Sequence, residues 1–198
     1  MELALDNIAK VISAVLNPYN TAFALLVIVS LMSFDGVVQR LAWISISLTT
    51  FLLLPSLILR HLAATQGISD LDVSVRQQRI GPKIVTLAIL VVSLPICFAR
   101  LTGASLLLQR ACVIFPILII LGYLCSHFWK ASGHVSSMTV LVAFLYLACG
   151  TPAGVLVPVL LVVAWARIRM GAHDVWETFL GAVLGTMSTL AAWRILDH

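Results

Sequence analysis

The stretch ARIRMGAHDVWE, residues 166–177, is the densest polar cluster of a chain that is otherwise mostly apolar. Its two arginines, one histidine and two carboxylates lie between two long runs without any charge, residues 135–165 and 178–193. Ionisable groups at or near membrane depth are costly and usually have a function. The cluster therefore predicts membrane-crossing helices on either side of it and a site where those helices end.

The composition is that of an integral membrane protein. Of the 198 residues, 61% are hydrophobic and 10% are charged, whereas soluble domains carry roughly 25% charged residues. The mean hydropathy is +1.09. The net charge of +4 is small and dispersed along the chain, so we do not expect nucleic acid as a partner. The length favours one integral membrane domain, residues 1–198.

Residues 1–17 differ from the rest because charges alternate with apolar side chains at helical spacing. Glu2, Asp6 and Lys10 lie between leucines, isoleucines and valines, which predicts an amphipathic helix at the membrane interface. The acidic start lacks a basic region, so a cleavable signal peptide is not expected. Asn17-Pro18 then marks a break.

Uncharged runs after this helix predict the membrane spans. They cover residues 21–34, 41–59, 84–99, 111–126, 135–148, 153–165 and 178–193. Several are shorter than the ~20 residues that cross a bilayer core, so their ends should draw on polar interfacial residues or surround a wet cavity. The expected fold is an all-α, polytopic bundle of six or seven transmembrane helices with an N-terminal interfacial helix.

Three polar segments interrupt the spans, and we call them loop one (63–83), loop two (127–134) and loop three (166–177). They follow the second, fourth and sixth predicted spans. Because each pair of crossings returns the chain to its starting side, all three loops should lie on one face of the membrane. The layout is that of a site assembled from three loops.

Loop three contains a histidine and a carboxylate at a spacing that suits chemistry. His173 and Glu177 are four residues apart, so on a helix they share a face, and a carboxylate there can fix the histidine tautomer. Arg167 can bind a phosphate or carboxylate through two parallel hydrogen bonds. Taken alone, this set fits an interfacial ion pair equally well.

Loop two ends in Ser132-Gly133-His134, directly before an apolar run. Ser132 suits a helix N-cap, Gly133 lets the backbone approach a ligand closely, and the free amides at a helix start bind anions. His134 would lie over the same spot. A capped helix with an interfacial histidine is the simpler explanation of this segment in isolation.

Loop one is basic. Arg76 and Arg79 are three residues apart, and Lys83 follows one helical turn later. Anchoring to anionic lipid headgroups explains such a loop as well as catalysis does. The three loops together, on one face and in this order, fit a substrate that carries an oxyanion.

Loops two and three resemble motifs of the type 2 phosphatidic acid phosphatase (PAP2) superfamily, membrane phosphatases whose active site is related to that of vanadium haloperoxidases. The family motif Pro-Ser-Gly-His corresponds to residues 131–134, ASGH. The motif Ser-Arg-x5-His-x3-Asp corresponds to residues 166–177, where Arg167, His173 and Glu177 keep the spacing. Glutamate replaces the family aspartate and preserves its charge.

The first family motif, Lys-x6-Arg-Pro, is matched less closely. Arg79 corresponds to the arginine, but Ile80 stands in place of proline and Asp72 in place of lysine. Arg76 or Lys83 is a candidate for the missing cation. The resemblance covers residues 70–185, which we treat as the PAP2-like core.

The resemblance implies a role for each matched residue. His173 would be the nucleophile that forms a phosphohistidine, Glu177 would orient it, and His134 would protonate the leaving oxygen. The phosphoryl oxygens would be held by the remaining residues: Arg79, Ser132, Gly133 and Arg167, with Arg76 or Lys83 as the additional cation. No metal or other cofactor is implied.

The expected function is therefore that of a multi-pass phosphatase of the cell membrane, surrounded by membrane lipids. Its substrate would be a lipid phosphomonoester or diphosphate of the prenyl diphosphate, phosphatidate or phosphatidylglycerophosphate type. Two alternatives are a non-catalytic lipid-phosphate binder or carrier, and an intramembrane serine protease using Ser105 with His173, which the crossing count places on opposite faces. The particular lipid, the membrane side of the site and the oligomeric state are left open.

Overall fold

The computed structural model describes residues 2–66 and 82–197, and their regular elements are all helical, without a β-strand in those ranges. The α-helices, in chain order, are α1 (Glu2–Val15), α2 (Pro18–Ser33), α3 (Val37–Leu48), α4 (Leu54–Gln66), α5 (Pro82–Leu101), α6 (Leu106–Ser126), α7 (Gly133–Cys149), α8 (Val157–Arg169) and α9 (Val175–Ile195). A π-helical turn, Thr49–Leu53, joins α3 to α4, and a 3-10 turn, Thr151–Leu156, leads into α8.

The expected all-α membrane fold is confirmed at the level of helix type and apolar length. Within the described ranges, four continuous helical segments are long and apolar enough to cross a bilayer: Val37–His61, Leu106–Ser126, Thr151–Arg169 and Val175–Ile195. The α1–α2 pair, bent by 50°, meets the same criteria as a fifth. Ala88–Leu101 and Gly133–Cys149 are shorter apolar helices.

The breaks between helices follow from local backbone chemistry. Asn17 caps α2 by accepting a hydrogen bond from the Asn20 amide, and Pro18 occupies the first helical turn, where a missing N–H costs nothing. Gly150, with φ of +77°, ends α7. The break predicted between the fifth and sixth runs is therefore present.

Helix α7 is the central element of the bundle, and it packs against α2, α8 and α9. Its closest neighbour is α9, which presents Gly181 and Gly185 to it. A Cβ atom on Gly181 would lie 2.6 Å from the Ser132 carbonyl oxygen, and one on Gly185 would meet the Ser136 carbonyl oxygen more closely still. Small residues here let the two backbones touch, which holds the start of α7 against the start of α9.

Helix α1 packs against α8. Its buried residues are the small ones, Ala9 and Ser13, whereas Leu3, Val11 and Val15 are exposed. Residues Glu2–Val15 are helical, but the packing face of this helix is a stripe of small residues rather than its bulky apolar side chains, and its place at the membrane interface stays a prediction. That stripe brings the N-terminal helix to the end of α8, where loop three begins.

Candidate active site

Loop three begins with a tight turn at the end of α8. Gly171 has φ of +64°, a left-handed conformation that favours glycine. Its amide donates to the Ile168 carbonyl at 2.9 Å, and the Ala172 amide donates to the Arg167 carbonyl at 3.1 Å, which together form a Schellman motif. The His173 amide also donates to the Arg167 carbonyl, at 3.3 Å. The turn at Met170-Gly171 therefore keeps His173 beside the end of α8.

His173 and Glu177 form the pair that their spacing suggests, although not on one helix. Asp174 is the N-cap of α9 and accepts a hydrogen bond from the Glu177 amide at 2.7 Å. His173 thus precedes α9, and the prediction that it shares a helical face with Glu177 is wrong. The Glu177 side chain reaches back from the first turn, so that Oε2 lies 2.7 Å from His173 Nδ1.

This pairing defines which histidine nitrogen can react. The His173 side chain is 1% exposed and that of Glu177 21% exposed, so the pair is largely shielded from water. When Nδ1–H donates to the carboxylate, the neutral ring carries its lone pair on Nε2. The carboxylate also stabilises positive charge on the ring, as in catalytic triads. His173 is thus equipped to act as a base or a nucleophile through Nε2.

The start of α7 lies against this pair. Ser132 caps α7, accepting a hydrogen bond from the Val135 amide at 3.5 Å, as its position in the sequence predicts. The Ser132 backbone amide donates to the Glu177 carbonyl at 3.0 Å. This hydrogen bond ties loop two to the first turn of α9 and places Gly133 and His134, the first two residues of α7, at the same end of the bundle.

Ser13 of α1 joins Arg167 to His134, a contact that the sequence analysis missed. Arg167 Nη1 donates to Ser13 Oγ at 2.6 Å. His134 Nε2 lies 3.3 Å from the same oxygen and 3.2 Å from the Ser13 carbonyl oxygen. All three residues are at least nine-tenths buried. One pattern in the sequence indicates this contact. Ala9 and Ser13 are four residues apart, so these two small residues share one face of the helix, and a face of small residues favours close packing.

Lys130 is a second site residue to which the sequence analysis assigned no role. Its Nζ donates to the Ala172 carbonyl at 2.8 Å and lies 4.0 Å from Glu177 Oε2. The ammonium therefore clamps the backbone immediately before His173 and faces the carboxylate that binds His173. In the sequence, Lys130 lies between Phe128-Trp129 and the N-cap Ser132. This arrangement matches no pattern that predicts a contact with Ala172 or Glu177.

The basic residues of loop one are predicted to contribute cations to the phosphate site. Arg76 and Arg79 lie outside the described residues, and of Lys83 only the backbone, in α5, is described. Their assignment to the phosphate site remains a prediction.

Ser105, the nucleophile of the protease alternative, serves a structural purpose. It caps α6 by accepting a hydrogen bond from the Leu108 amide at 3.2 Å. Its hydroxyl donates to Ser33 Oγ at 2.7 Å. Because these contacts tie α6 to the end of α2, no described contact of Ser105 favours a dyad with His173.

A cavity of about 310 Å³ opens beside the start of α7. Ala131 and Gly133 are among its lining residues, and most of its wall is apolar, including Val92, Phe115 and Leu118. The walls come from α2, α5, α6 and α7, with Leu184 of α9. An apolar space thus adjoins the helix start that carries Ser132 and His134.

Comparison with protein-family models, with curated proteins and with solved structures finds no match for this chain. The similarity to the PAP2 superfamily therefore rests on the residues of loops two and three and on the loose match in loop one. Among residues 2–66 and 82–197, no group of three or more histidine, cysteine, aspartate or glutamate side chains is arranged to hold a metal ion.

Proposed function

We propose that the chain is a membrane phosphatase that hydrolyses a lipid phosphomonoester or diphosphate through a phosphohistidine at His173. The observation that carries this proposal is the His173–Glu177 pair, with Nδ1 and Oε2 2.7 Å apart. The pair is connected by hydrogen bonds to a buried arginine and a second histidine. The Arg167 carbonyl accepts a hydrogen bond from the His173 amide. The Glu177 carbonyl accepts one from the Ser132 amide, two residues before His134 at the start of α7.

In the proposed first step, Nε2 of His173 attacks phosphorus as the bond from phosphorus to the leaving oxygen breaks. His134 donates a proton to that oxygen, which departs as the lipid alcohol or lipid monophosphate. The guanidinium of Arg167 balances the charge on the equatorial phosphoryl oxygens. Glu177 stabilises the positive charge that develops on the His173 ring.

In the second step, water attacks the phosphohistidine. His134, now neutral, takes a proton from this water as the bond from nitrogen to phosphorus breaks. The products are inorganic phosphate and His173 with its lone pair restored on Nε2. Both steps use the same groups in reverse protonation states, so the site returns to its starting form after one turnover.

The apolar cavity and the membrane fold favour a lipid substrate over a soluble phosphate ester. Gly133 lines the cavity, and the apolar wall suits hydrocarbon. A tail in this space would leave the phosphate near the start of α7.

We infer seven membrane crossings, of which the third and fifth are the shorter helices α5 and α7. In this arrangement α2 alone forms the first span, and α1 lies at the interface of the cell membrane. Loops one, two and three then follow the second, fourth and sixth spans and share one face. The exposed apolar side chains of α1, among them Leu3, Val11 and Val15, suit contact with lipid.

The test is phosphate release by the purified chain from three substrates: a prenyl diphosphate, phosphatidate and phosphatidylglycerophosphate. We expect turnover of at least one of them without added metal. His173→Ala should abolish turnover, whereas His61→Ala, which removes an exposed histidine of α4, should leave it unchanged. A base-stable, acid-labile phosphate label on the parent chain would identify the intermediate.

The loose match in loop one favours a second candidate, a lipid-phosphate binder or carrier without turnover. Asp72 stands where the resemblance calls for lysine, and a missing cation would weaken stabilisation of the transition state. Saturable binding of a labelled lipid phosphate, with no phosphate release from any of the three substrates, would support this candidate. Full activity of His173→Ala would refute the phosphatase mechanism.

A further inference from the structure

Ser13 Oγ occupies the point where two reactive groups of the site meet. Arg167 Nη1 donates to this oxygen at 2.6 Å, and His134 Nε2 lies 3.3 Å from it. In the proposed reaction both groups contact oxygen atoms of the phosphate, Arg167 as a charged donor and His134 as the proton donor. A neutral serine oxygen from α1 lies where both of them converge.

We propose that Ser13 is a placeholder for a phosphoryl oxygen, and that α1 is a gate that moves aside when a phosphorylated ligand binds. This inference rests on the proposed function of the same site and adds a regulatory element to it. The ligand is recognised as a tetrahedral oxyanion, because a guanidinium and an imidazole that converge on one oxygen provide the hydrogen bonds that such an anion accepts.

Rotation of the Ser13 side chain alone would not free His134. A protonated Nε2 donates to the Ser13 carbonyl oxygen at 3.2 Å, and an unprotonated Nε2 accepts from the hydroxyl at 3.3 Å. In either tautomer the nitrogen is engaged by α1. Since the carbonyl belongs to the backbone, the helix itself must shift before Nε2 can reach a leaving oxygen.

The attachment of α1 suits such a movement. Apart from the Ser13 contacts that the ligand would replace, α1 is linked to loop three by the ion pair between Asp6 Oδ1 and Arg169 Nε, 2.8 Å apart, whose side chains are 46% and 32% exposed. Exposed ion pairs of this kind contribute little. The break at Asn17-Pro18, where α1 and α2 meet at 50°, is the point about which α1 would turn.

The experiment compares binding of inorganic phosphate to the parent chain, Ser13→Ala and Asp6→Asn by titration calorimetry in detergent. Ser13→Ala should bind phosphate about tenfold more tightly, because a hydrogen bond to a charged guanidinium no longer competes. Asp6→Asn, which only loosens the gate, should bind about two- to threefold more tightly. The matched control is Ser30→Ala, which removes a buried hydroxyl that donates to the Leu26 carbonyl within α2 and should leave phosphate binding unchanged.

Steady-state kinetics provide a second test of the gate, with any lipid phosphate that the parent chain hydrolyses as substrate. The KM of Ser13→Ala should fall in proportion to the phosphate affinity, with kcat at least equal to that of the parent. Weaker phosphate binding by Ser13→Ala would make Ser13 a permanent ligand of the anion, and unchanged binding would make it a structural residue. Either result overturns the gate. If Ser13→Ala does not fold, unchanged phosphate affinity of Asp6→Asn overturns it instead.

The outcomes separate the gate from the phosphatase. Tighter phosphate binding by Ser13→Ala without any lipid hydrolysis by the parent supports the gate and refutes the phosphatase. Hydrolysis that depends on His173, together with phosphate binding that does not respond to Ser13→Ala, supports the phosphatase and refutes the gate. Absence of both hydrolysis and phosphate binding refutes both.

Discussion

Replacing Glu177 by glutamine removes the charge that faces His173 while keeping the size of the side chain. The two side chains are joined by a 2.7 Å hydrogen bond and are 21% and 1% exposed, respectively. In the proposed reaction, attack on phosphorus places positive charge on the imidazole, so the carboxylate would stabilise the transition state more than the ground state. A hydrogen bond to a charged group contributes about 1.5–3 kcal/mol, which corresponds to a loss of about 10- to 150-fold in kcat.

The assay is the initial rate of phosphate release over a range of lipid phosphate concentrations. We expect the loss in kcat, with KM within about threefold of the parent, because Glu177 binds His173 rather than the substrate. Glu177→Asp, which restores the charge on a shorter side chain, should lie between the parent and Glu177→Gln. Glu2→Gln makes the same charge change on an exposed residue of α1 and should leave both constants unchanged.

Two results would contradict this reasoning. A kcat of Glu177→Gln within twofold of the parent would show that the carboxylate does not act on His173 during the reaction. A raised KM with unchanged kcat would show that Glu177 contributes to substrate binding and not to the reactivity of His173.

Three further predictions concern packing, positioning and metal dependence. Gly181→Ala should lower the melting temperature and activity together, because its Cβ would lie 2.6 Å from the carbonyl oxygen of Ser132, the N-cap of α7. Overpacking of this kind costs about 1–3 kcal/mol. The control is Gly122→Ala, where the new Cβ meets nothing within 4 Å and the melting temperature should not fall. Lys130→Met removes the 2.8 Å hydrogen bond to the Ala172 carbonyl and should lower kcat about three- to tenfold. Lys10→Met, at an exposed position of α1, should leave kcat unchanged. A chelator such as EDTA should leave phosphate release within twofold, and a loss restored by a divalent cation would contradict the proposed metal-free chemistry.

Features that depend on a few adjacent residues could be predicted from the sequence. Uncharged runs predict helices because a long apolar segment has few other solutions in a membrane. Ser132 before an apolar run predicts an N-cap, and Gly171 after two arginines marks a helix end. Gly181 and Gly185, four residues apart, indicate the close packing of two helices. In each case a few neighbouring residues are enough to indicate the local structure.

Contacts between distant residues could not be predicted in the same way. Ser13 meets Arg167 across 154 positions, and only the packing of α1 on α8 makes a serine in an amphipathic helix part of the site. The position of His173 outside the helix could not be predicted either, because Asp174 rather than an earlier residue is the N-cap of α9. The pair with Glu177 forms despite this, since the glutamate side chain is long enough to reach back over one turn.

The contact between α1 and the end of α8 has a consequence for how the protein is assembled. During synthesis, Ser13 emerges 154 residues before its partner Arg167, and at about 5–20 residues per second the interval is roughly 8–30 s. In that interval α1 has neither its ion-pair partner Arg169 nor its hydrogen-bond partner Arg167. Insertion of the last two helices then completes the site. Maturation of activity should therefore lag behind membrane insertion of the first spans.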